Sequence, residues 1–547
     1  MPRKKAAITD GINWPEIPGV NGKPGSRSST GTATKILQAA LSQGAPNDPL
    51  TEKLSTVSGK GWRFGYQKFM VRTTTVMAEA DEATVCKMAR AGLEAAHSSF
   101  DFIRNGETNK LNVAMENPSE DMAFETGHVI GSGNNNPSSP IEVPYNKKVY
   151  AAAEVPALLR SVMINDSDME GSVLAAVENI LAKGSMKDCE DLSDLYVVLL
   201  GATSEMGPLE FLLDHGANVI GLARGGTKKW SKLIERSKRS RGQLYFPMAA
   251  GSDASSTDLQ YLASNAGADA LLQTPEIAEW LSRIVPGKML YIYSLIYLDG
   301  EKYVRASMAM DAIADTVTRN RGGKNKTGLL YIGTPSSAHL VPASCEEVAR
   351  RIFQEDTPLW QKALHAVGLL KRNKYIRLES GNQQEEYAVL DALSSVQGPN
   401  YALAKYIQNW RAMLARTEGK QFVSVNVAPP AMTASVMHAP KIAAAAPYFS
   451  LFKPNKMYFP DTVSAILSIM LLADIRNKNS ASQPKTKLGH PMQLVADQSW
   501  HGGSWSAPFT ADSTGIAAYL VYLFRKVSPV IAVSIIGIVS YLSFMRH

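Results

Sequence analysis

The most constraining feature of this 547-residue sequence is a strand, a glycine turn, a helix and a second strand between residues 195 and 224. The run LYVVLLGA (195–202) is continuously apolar and ends in glycine, as buried parallel strands do. TSEMGPLEFLLDHG follows with apolar residues at helical spacing, and then comes the apolar run ANVIGLAR (217–224). Because parallel strands need a crossover connection, this unit predicts a parallel sheet covered by helices.

The alternation of strands and helices continues along the chain. Further strands are predicted at 242–248, 288–298, 328–335 and 420–427, and helices at 274–284, 304–319 and 401–415. Residues 343–400 look helical and polar and are interpreted as an insertion. The predicted fold class is therefore α/β, with a doubly wound parallel sheet of the Rossmann type.

The sequence predicts four parts. Residues 1–60 are rich in glycine, proline and serine, lack an apolar run typical of a signal peptide, and are predicted to be flexible. Residues 61–190 show helical periodicity and predict a mostly helical domain. Residues 191–512 form the predicted Rossmann-like domain, and residues 513–547 the predicted membrane anchor.

The anchor is predicted from residues 527–545, which are 19 consecutive uncharged residues. A helix of that length spans roughly 29 Å, close to the hydrocarbon thickness of a bilayer. We expect a tail-anchored, single-pass membrane protein whose remaining chain faces the cytosol, on the endoplasmic reticulum or another organelle, with residues 515–524 along the membrane interface. The alternative is a buried carboxy-terminal helix, for example at a dimer interface.

Composition narrows the functional class. The net charge is +7, but basic residues are mostly scattered among acidic ones and no zinc-finger or RNA-binding signature appears, which disfavours nucleic acid as a partner. Cys86, Cys189 and Cys345 are far apart and indicate a reducing compartment without disulfides. Glu125 and His128 lack a third ligand, so a capped loop is preferred to a metal pair and no metal is predicted.

The turn after the first strand predicts a dinucleotide site. Glycines at such a turn let the backbone approach a pyrophosphate at the start of the next helix. Glu205 stands where the middle glycine is usual, and a carboxylate near phosphate is unfavourable unless it points away. The candidate cofactor contacts in this loop are Gly201, Thr203, Ser204, Met206 and Gly207.

The end of the second strand favours NADP over NAD. An acidic residue there binds the ribose 2'-hydroxyl, whereas a basic one pairs with the 2'-phosphate of NADP. The sequence has Arg224 and no nearby carboxylate, and Lys228 is a second candidate for the phosphate.

From residue 195 to about 505 the chain resembles the short-chain dehydrogenase/reductase superfamily in an enlarged, atypical form. The family's Tyr-x-x-x-Lys resembles Tyr401 and Lys405, within YALAK. Its Asn-x-x-x-Pro-Gly resembles Asn426 to Pro430, and its following threonine resembles Thr433. Residues 461–474 resemble the helix before the last strand, and 491–503 resemble that strand with its glycine turn.

The resemblance implies the roles of these residues. Tyr401 would exchange a proton with a carbonyl or hydroxyl oxygen, and Lys405, four residues on, would lower the phenol pKa from about 10 and hold the nicotinamide ribose. Asn426, Pro429 and Thr433 would lie at the cofactor. The family's third residue is a serine thirteen positions upstream of the tyrosine, where this chain has Ala388. Two replacements are available: Ser336 with Ser337, which the strand count favours, or Ser394 with Ser395.

The predicted function is that of a membrane-anchored NADP(H)-dependent oxidoreductase that acts on a carbonyl or hydroxyl group. Residues 437–459 occupy the family's variable substrate lid and are rich in alanine and aromatic residues, which suggests a small hydrophobic, lipid-like substrate. A surface helix packed on the core is the alternative there. The alternative function is a catalytically inactive nucleotide-binding scaffold or redox sensor. The resemblance is also compatible with a homodimer.

Overall fold

The computed structural model describes residues 10–17, 26–57, 59–135, 140–164, 169–182, 191–323, 326–378 and 387–526. Its strands are β1 Gly11–Asn13, β2 Glu16–Ile17, β3 Ser26–Arg27, β4 Asp101–Arg104, β5 Glu107–Lys110, β6 Glu125–Ile130, β7 Glu142–Tyr145, β8 Lys148–Ala151, β9 Tyr196–Leu200, β10 Asn218–Leu222, β11 Gln243–Met248, β12 Leu290–Ser294, β13 Thr327–Gly333, β14 Ala338–Pro342, β15 Tyr375–Arg377, β16 Tyr387–Asp391 and β17 Phe422–Val427.

The α-helices of the described residues are α1 Ser29–Gly44, α2 Pro49–Leu54, α3 Gly59–Glu79, α4 Glu82–Ser99, α5 Leu111–Met115, α6 Val155–Leu158, α7 Gly171–Leu181, α8 Leu209–Asp214, α9 Thr227–Lys238, α10 Leu259–Asn265, α11 Thr274–Arg283, α12 Glu301–Asn320, α13 Ser344–Arg351, α14 Leu359–Ala366, α15 Gly398–Thr417, α16 Ala434–Met437, α17 Pro440–Phe449, α18 Pro460–Arg476, α19 Gln493–Ala496 and α20 Ala511–Lys526.

The central sheet has seven strands in the order β17-β13-β12-β9-β10-β11-β6. All neighbouring pairs are parallel except β11 and β6, which are antiparallel. Numbered along the chain, the six parallel strands lie in the order 3-2-1-4-5-6, the arrangement of doubly wound dinucleotide-binding folds. The predicted α/β, Rossmann-like class is confirmed. Both ends of each parallel strand that the sequence predicted lie within four residues of the observed ends.

Both faces of the sheet are buried because side chains alternate along each strand. In β9, Val198 and Leu200 belong to one hydrophobic core, while Val197 and Leu199 belong to the other. The first core contains α12 and α15, and the second contains α9 and α18. This two-sided burial explains why the parallel strands are continuous apolar runs in the sequence.

The amino-terminal part is more closely joined to this sheet than its sequence predicted. Helix α1 is buried in the first core although residues 1–60 were expected to be flexible. Gly92 of α4 lies against the Trp410 ring of α15, which an added Cβ would approach to 2.4 Å. The domain boundaries at residues 60 and 190 stay a prediction, although one core extends across them.

The segment 61–190 is helical only in part. Residues 101–151 contain five strands, and Glu125–Ile130 pairs with β11 at the edge of the central sheet. The interpretation of Glu125 and His128 as part of a capped loop is therefore wrong. His128 stacks on Tyr245 with ring centroids 4.2 Å apart, and cross-strand pairing of this kind stabilises the strand.

Two other elements differ from expectation. The predicted insertion 343–400 supplies β15 and β16, which form an antiparallel sheet with β14. Residues 491–503, predicted as a strand, instead contain the short helix α19 followed by turns. The Gln493 side chain accepts the Gly489 N–H at 2.8 Å, which stabilises the start of this helix in place of an extended chain.

Within the described residues, no helix is both long enough and apolar enough to cross a membrane. The predicted anchor at 527–545 lies outside the described residues, as does Cys189.

Candidate active site

A cavity of about 1360 Å³ opens at the carboxyl ends of the parallel strands. Its floor includes Gly201 after β9, Ser294 at the end of β12 and Thr334 after β13. Helices α17 and α20 contribute side chains to its wall. Ligands of open α/β sheets bind at this edge, where the strand order reverses, so the cavity is the candidate active site.

The helix α15 brings Tyr401 and Lys405 to this cavity. Pro399 lies in its first turn, where the missing N–H costs little, and residues four apart then share one face. The Lys405 amine lies 6.0 Å from the centre of the Tyr401 ring. Both residues line the cavity, so the spacing seen in the sequence becomes a shared position in space.

Backbone and side-chain acceptors fix the Lys405 amine. Nζ donates to the Ile332 carbonyl of β13 at 2.7 Å and to Gln408 Oε1 at 3.2 Å. Gln408 in turn donates to the Ser307 hydroxyl of α12 at 3.1 Å. Burial lowers the pKa of Lys405, and the neighbouring Tyr401 only partly opposes that change. The amine is therefore held rigidly and gives up its proton more readily than an exposed lysine.

The pKa of Tyr401 shifts in the opposite direction to that of Lys405. Burial raises the pKa of its phenol, and Lys405 offsets that increase only in part. Its ring packs against Tyr303, with centroids 5.4 Å apart, and against the exposed Tyr297 at 6.4 Å. Lys405 lowers the phenol pKa as expected, but desolvation raises it by more, so the net shift is upward. A protonated phenol suits a proton donor.

The Thr334 side chain interacts with the Tyr401 phenol and lowers its pKa. Ser336, the predicted partner, also lines the cavity, and its hydroxyl pairs with Thr334 Oγ1 at 3.1 Å. His339 fixes the same turn through a 2.6 Å hydrogen bond to the Thr334 carbonyl. Thr334 and Ser336 are therefore both hydroxyl candidates on the cavity wall that carries Tyr401. The sequence signal for Thr334 was its position immediately after Gly333, at the end of a strand.

The second serine pair serves a different purpose. The Ser394 hydroxyl donates to Asp512 Oδ1 at 2.8 Å, and the Ser395 N–H donates to Asp512 Oδ2 at the same distance. Both serines line the cavity, but these bonds tie the loop before α15 to the start of α20.

A buried ion-pair network holds α15 against its neighbours. Arg411 of α15 binds both carboxylate oxygens of Asp311 in α12, at 2.7 and 2.9 Å. His97 of α4 contacts the same carboxylate at 2.6 Å. Burial opposes ionisation of Asp311, but Arg411 and His97 outweigh it and hold its pKa below the ordinary value. The network fixes the helix that carries Tyr401.

The glycine loop lies on the opposite side of the cavity. Gly201 has φ +111°, and an added Cβ would come within 3.0 Å of the Ile296 nitrogen, so glycine is required there. Thr203, Ser204 and Met206 also line the cavity. Gly207 is not among the lining residues; its carbonyl accepts the Ser464 hydroxyl at 3.0 Å.

Glu205 points across the cavity and not away from it. Its Oε2 accepts the backbone N–H of Ala434, at the start of α16, at 2.9 Å. The carboxylate therefore connects the glycine loop with the segment that follows β17. It lies where the diphosphate of a dinucleotide is expected in this fold.

Arg224 lies where the sequence places it, on the cavity wall after β10. Lys229 lines the same wall and donates to the Arg224 carbonyl at 3.4 Å. Lys228, the second candidate, does not line the cavity. The basic pair at this end is thus Arg224 with Lys229.

The residues after β17 separate into two groups. Pro429 and Thr433 line the cavity, as predicted for cofactor contacts. Asn426 does not: it is buried, and its amide donates to Ser424 at 3.1 Å and to Asp474 at 3.3 Å. Asn426 therefore stabilises the contact between β17 and α18 from within the core.

No group of three or more metal-ligating side chains occurs in the described part of the chain. Glu125 and His128 lie on the far edge of the sheet from the cavity residues, on β6.

Comparisons with known proteins add little. No family model and no curated protein matches this sequence. The chain is similar to the crystal structure of BdcA in complex with NADPH, at 13% identity and a TM-score of 0.27, over 52% of this chain and 88% of that one. It is also similar to the terminal R domain of the myxalamid PKS-NRPS biosynthetic pathway, at 14% identity and a TM-score of 0.23, over 61% and 91%. The strand order carries the fold assignment.

Proposed function

We propose that this chain is an NADP(H)-dependent oxidoreductase of the short-chain dehydrogenase/reductase type, acting on a carbonyl or hydroxyl group. The observation that carries the proposal is the convergence of Tyr401, Lys405 and Thr334 in one cavity with the glycine turn at Gly201. Arg224 supports NADP over NAD because a guanidinium pairs well with a 2'-phosphate.

The residues present suit such a cofactor. Gly201 lines the cavity at the turn after β9, and Arg224 and Lys229 offer positive charge for the adenosine end. When bound, the nicotinamide supplies the chemistry of hydride transfer. Lys405 would hold the ribose, with its amine already fixed by Ile332 and Gln408.

Tyr401 acts as the general acid in the direction of reduction. Its phenol, kept protonated by burial, donates a proton to the substrate oxygen. The Thr334 hydroxyl, which lines the same cavity, would offer a second hydrogen bond to that oxygen. In the direction of oxidation, Tyr401 must first lose its proton, and the positive charge of Lys405 then stabilises the phenolate.

The proposed substrate is small and hydrophobic. Ala445, Ala446 and Phe449 of α17 and Leu520 and Leu523 of α20 line the end of the cavity beyond Tyr401. An apolar wall of this kind favours an acyl, isoprenoid or sterol-like carbonyl compound. The membrane location on the cytosolic side, proposed from residues 527–545, would place the enzyme near such compounds.

The second candidate function is a nucleotide-binding scaffold or redox sensor without turnover. The observation in its favour is the Glu205 carboxylate, which accepts the Ala434 N–H within the candidate cofactor cleft. In this reading the nucleotide displaces Glu205 and changes the position of α16, and no substrate is converted.

Titration of the purified full-length protein with NADPH and NADH, followed by nicotinamide fluorescence, tests the proposal. We expect tighter binding of NADPH and turnover with long-chain aldehydes or ketones. Tyr401→Phe should keep NADPH binding and lower kcat by about 10²- to 10⁴-fold. Binding without turnover over a panel of lipid carbonyls supports the sensor, and absence of binding to either nucleotide refutes both functions.

A further inference from the structure

Three segments separated in sequence pack into one surface beside the cavity. They are residues 357–374, 437–460 and 513–526, and we call their shared surface the basic apolar face. Trp360 packs on Phe452 with ring centroids 5.4 Å apart, and the Gln361 amide donates to the Leu451 carbonyl at 2.8 Å. These contacts join α14 to the end of α17.

The third segment joins the face through α20. Tyr448 of α17 and Tyr522 of α20 have ring centroids 6.4 Å apart. The guanidinium of Arg525 lies 5.3 Å from the centre of the Tyr448 ring, and Lys526 lies 5.5 Å from that of Tyr522. Tyrosines paired with basic residues are typical of the boundary between lipid headgroups and acyl chains.

Exposed apolar side chains are concentrated in these three segments. The three segments hold 56 of the 547 residues, yet they carry eight of the 17 large apolar side chains that are exposed within the described residues. Leu359 is 83% exposed and Ile516 is 51% exposed. The others are Trp360, Val367, Met437, Leu451, Phe459 and Phe524.

The charge of the face has one sign. The three segments contain nine lysine and arginine residues and no aspartate or glutamate, although acidic residues are nearly as common as basic ones in the whole chain, 50 against 57. The nearest acids in the sequence, Asp356, Asp461 and Asp512, flank the segments. Basic residues that surround exposed apolar side chains match a surface with anionic headgroups and an apolar interior.

We propose that the basic apolar face docks on a bilayer that contains anionic lipid, with Leu359 and Ile516 entering the acyl boundary. The face adjoins the cavity, because Ile516, Tyr519 and Leu520 of α20 line it while Ile516 is also exposed. Docking would let a hydrophobic substrate pass from the bilayer to Tyr401 without crossing water. This deepens the proposed function and rests on it for the identity of the substrate.

The test uses the full-length chain with an environment-sensitive fluorophore on an introduced cysteine. Leu359→Cys reports on the face, and Ile130→Cys, on the far edge of the sheet and 56% exposed, is the matched control. Cys189→Ser is present in both, and Cys86 and Cys345 are buried. The proteins are bound to phosphatidylcholine vesicles with or without phosphatidylserine, which contain nitroxide-labelled lipid.

We expect quenching and a blue shift at Leu359→Cys but not at Ile130→Cys, and only when phosphatidylserine is present. Charge removal by Lys453→Gln, Arg525→Gln and Lys526→Gln should weaken the quenching by about tenfold or more. Bound protein without quenching at residue 359 overturns the proposal, since residues 527–547 would then hold the chain alone. A blue shift of the Leu359→Cys label in the absence of vesicles also overturns the proposal. It would show that a second copy of the chain or residues 527–547 cover the face. NADPH titration of the same samples reports separately on the proposed function.

Discussion

The side chain of Thr334, which follows the fifth parallel strand, interacts with the phenol of Tyr401, 67 residues further on, and lowers its pKa. The two residues belong to different elements, the turn after β13 and the helix α15. Their side chains meet at the cavity on the carboxyl edge of the sheet. This makes Thr334 a candidate partner of Tyr401 beside Ser336.

Thr334→Val should lower kcat by about 10²-fold or more, because it removes the hydroxyl that interacts with the Tyr401 phenol and is proposed to bind the substrate oxygen. Ser336→Ala should cost about tenfold less than that, since the Ser336 hydroxyl pairs with Thr334. Ser337→Ala is the control, because its buried hydroxyl has no hydrogen-bond partner within the described residues. Steady-state kinetics with NADPH make the comparison. A larger loss for Ser336→Ala than for Thr334→Val would contradict the assignment.

The rate of oxidation should rise with pH, whereas the rate of reduction should be flat through neutral pH. Burial raises the pKa of Tyr401, so the phenol is ready to donate a proton but must be deprotonated before it can accept one. Lys405→Met removes the charge that partly offsets this shift and should move the alkaline profile to higher pH. The measurement is kcat against pH in both directions. An unchanged profile in the variant would mean that Lys405 does not act on the phenol.

Glu205→Gln should tighten NADPH binding by about three- to tenfold, because it removes a negative charge from the expected position of the diphosphate. The affinity for adenosine 2'-phosphate, which has no diphosphate, should not change. Fluorescence titration and calorimetry give both constants. Glu210→Gln is the control, since Glu210 is exposed on α8 and does not line the cavity. An equal increase in the affinities for NADPH and adenosine 2'-phosphate would show that Glu205 acts only through the overall charge of the protein.

Arg224→Ala should weaken NADPH binding by about tenfold or more and leave NADH binding nearly unchanged, because the 2'-phosphate alone distinguishes the two. Lys228→Ala removes a neighbouring charge that does not line the cavity and serves as the control. Binding constants for both nucleotides are measured at one ionic strength. A parallel loss for NADH would place Arg224 elsewhere on the nucleotide.

Asp311→Asn should lower the free energy of unfolding by about 3–5 kcal/mol, because it leaves the buried Arg411 with only the more exposed Asp315 as a charged partner. Asp315→Asn, at the more exposed end of the network, should cost about 1 kcal/mol or less. Urea unfolding at neutral pH measures both.

The same network predicts an acid-dependent difference. The folded-state pKa of Asp311 lies below its ordinary value of 3.8. The stability that ionised Asp311 contributes is therefore fully present above pH 3.8 and is lost as the pH falls through the folded-state pKa. The difference in unfolding free energy between wild type and Asp311→Asn should therefore shrink below the ordinary pKa of 3.8. A difference that does not depend on pH would contradict the ionised state of Asp311.

Several features of the fold and of the candidate site could be predicted from local sequence patterns. Strands β9 and β10 were predicted because strands buried on both faces are continuous apolar runs, and this pattern survives in any context. Tyr401 and Lys405 were placed on one face by the helical repeat alone. Gly201 was identified as the glycine that ends the first apolar run, where the backbone of this fold approaches a pyrophosphate. The structure adds that its φ is +111°.

Other features depend on partners distant in the chain. Residues 125–130 form a sheet strand because they pair with β11 at the edge of the sheet. No local sequence pattern indicates that pairing. Asn426 matched a family motif, yet its side-chain amide donates a hydrogen bond to Asp474 in the core. Ser395 resembled a catalytic residue but binds Asp512.

The sequence by itself determined the alternating α/β class, the Tyr401–Lys405 face and the basic residue after the second strand. These follow from periodicity and side-chain type, which act over a few residues. Only the tertiary structure decided that Thr334 lies with Tyr401 at the cavity, that Glu205 contacts the segment after β17, and that α20 forms part of the cavity wall. Those relationships depend on the juxtaposition of segments far apart in the chain, and the packing of the whole sheet sets that juxtaposition.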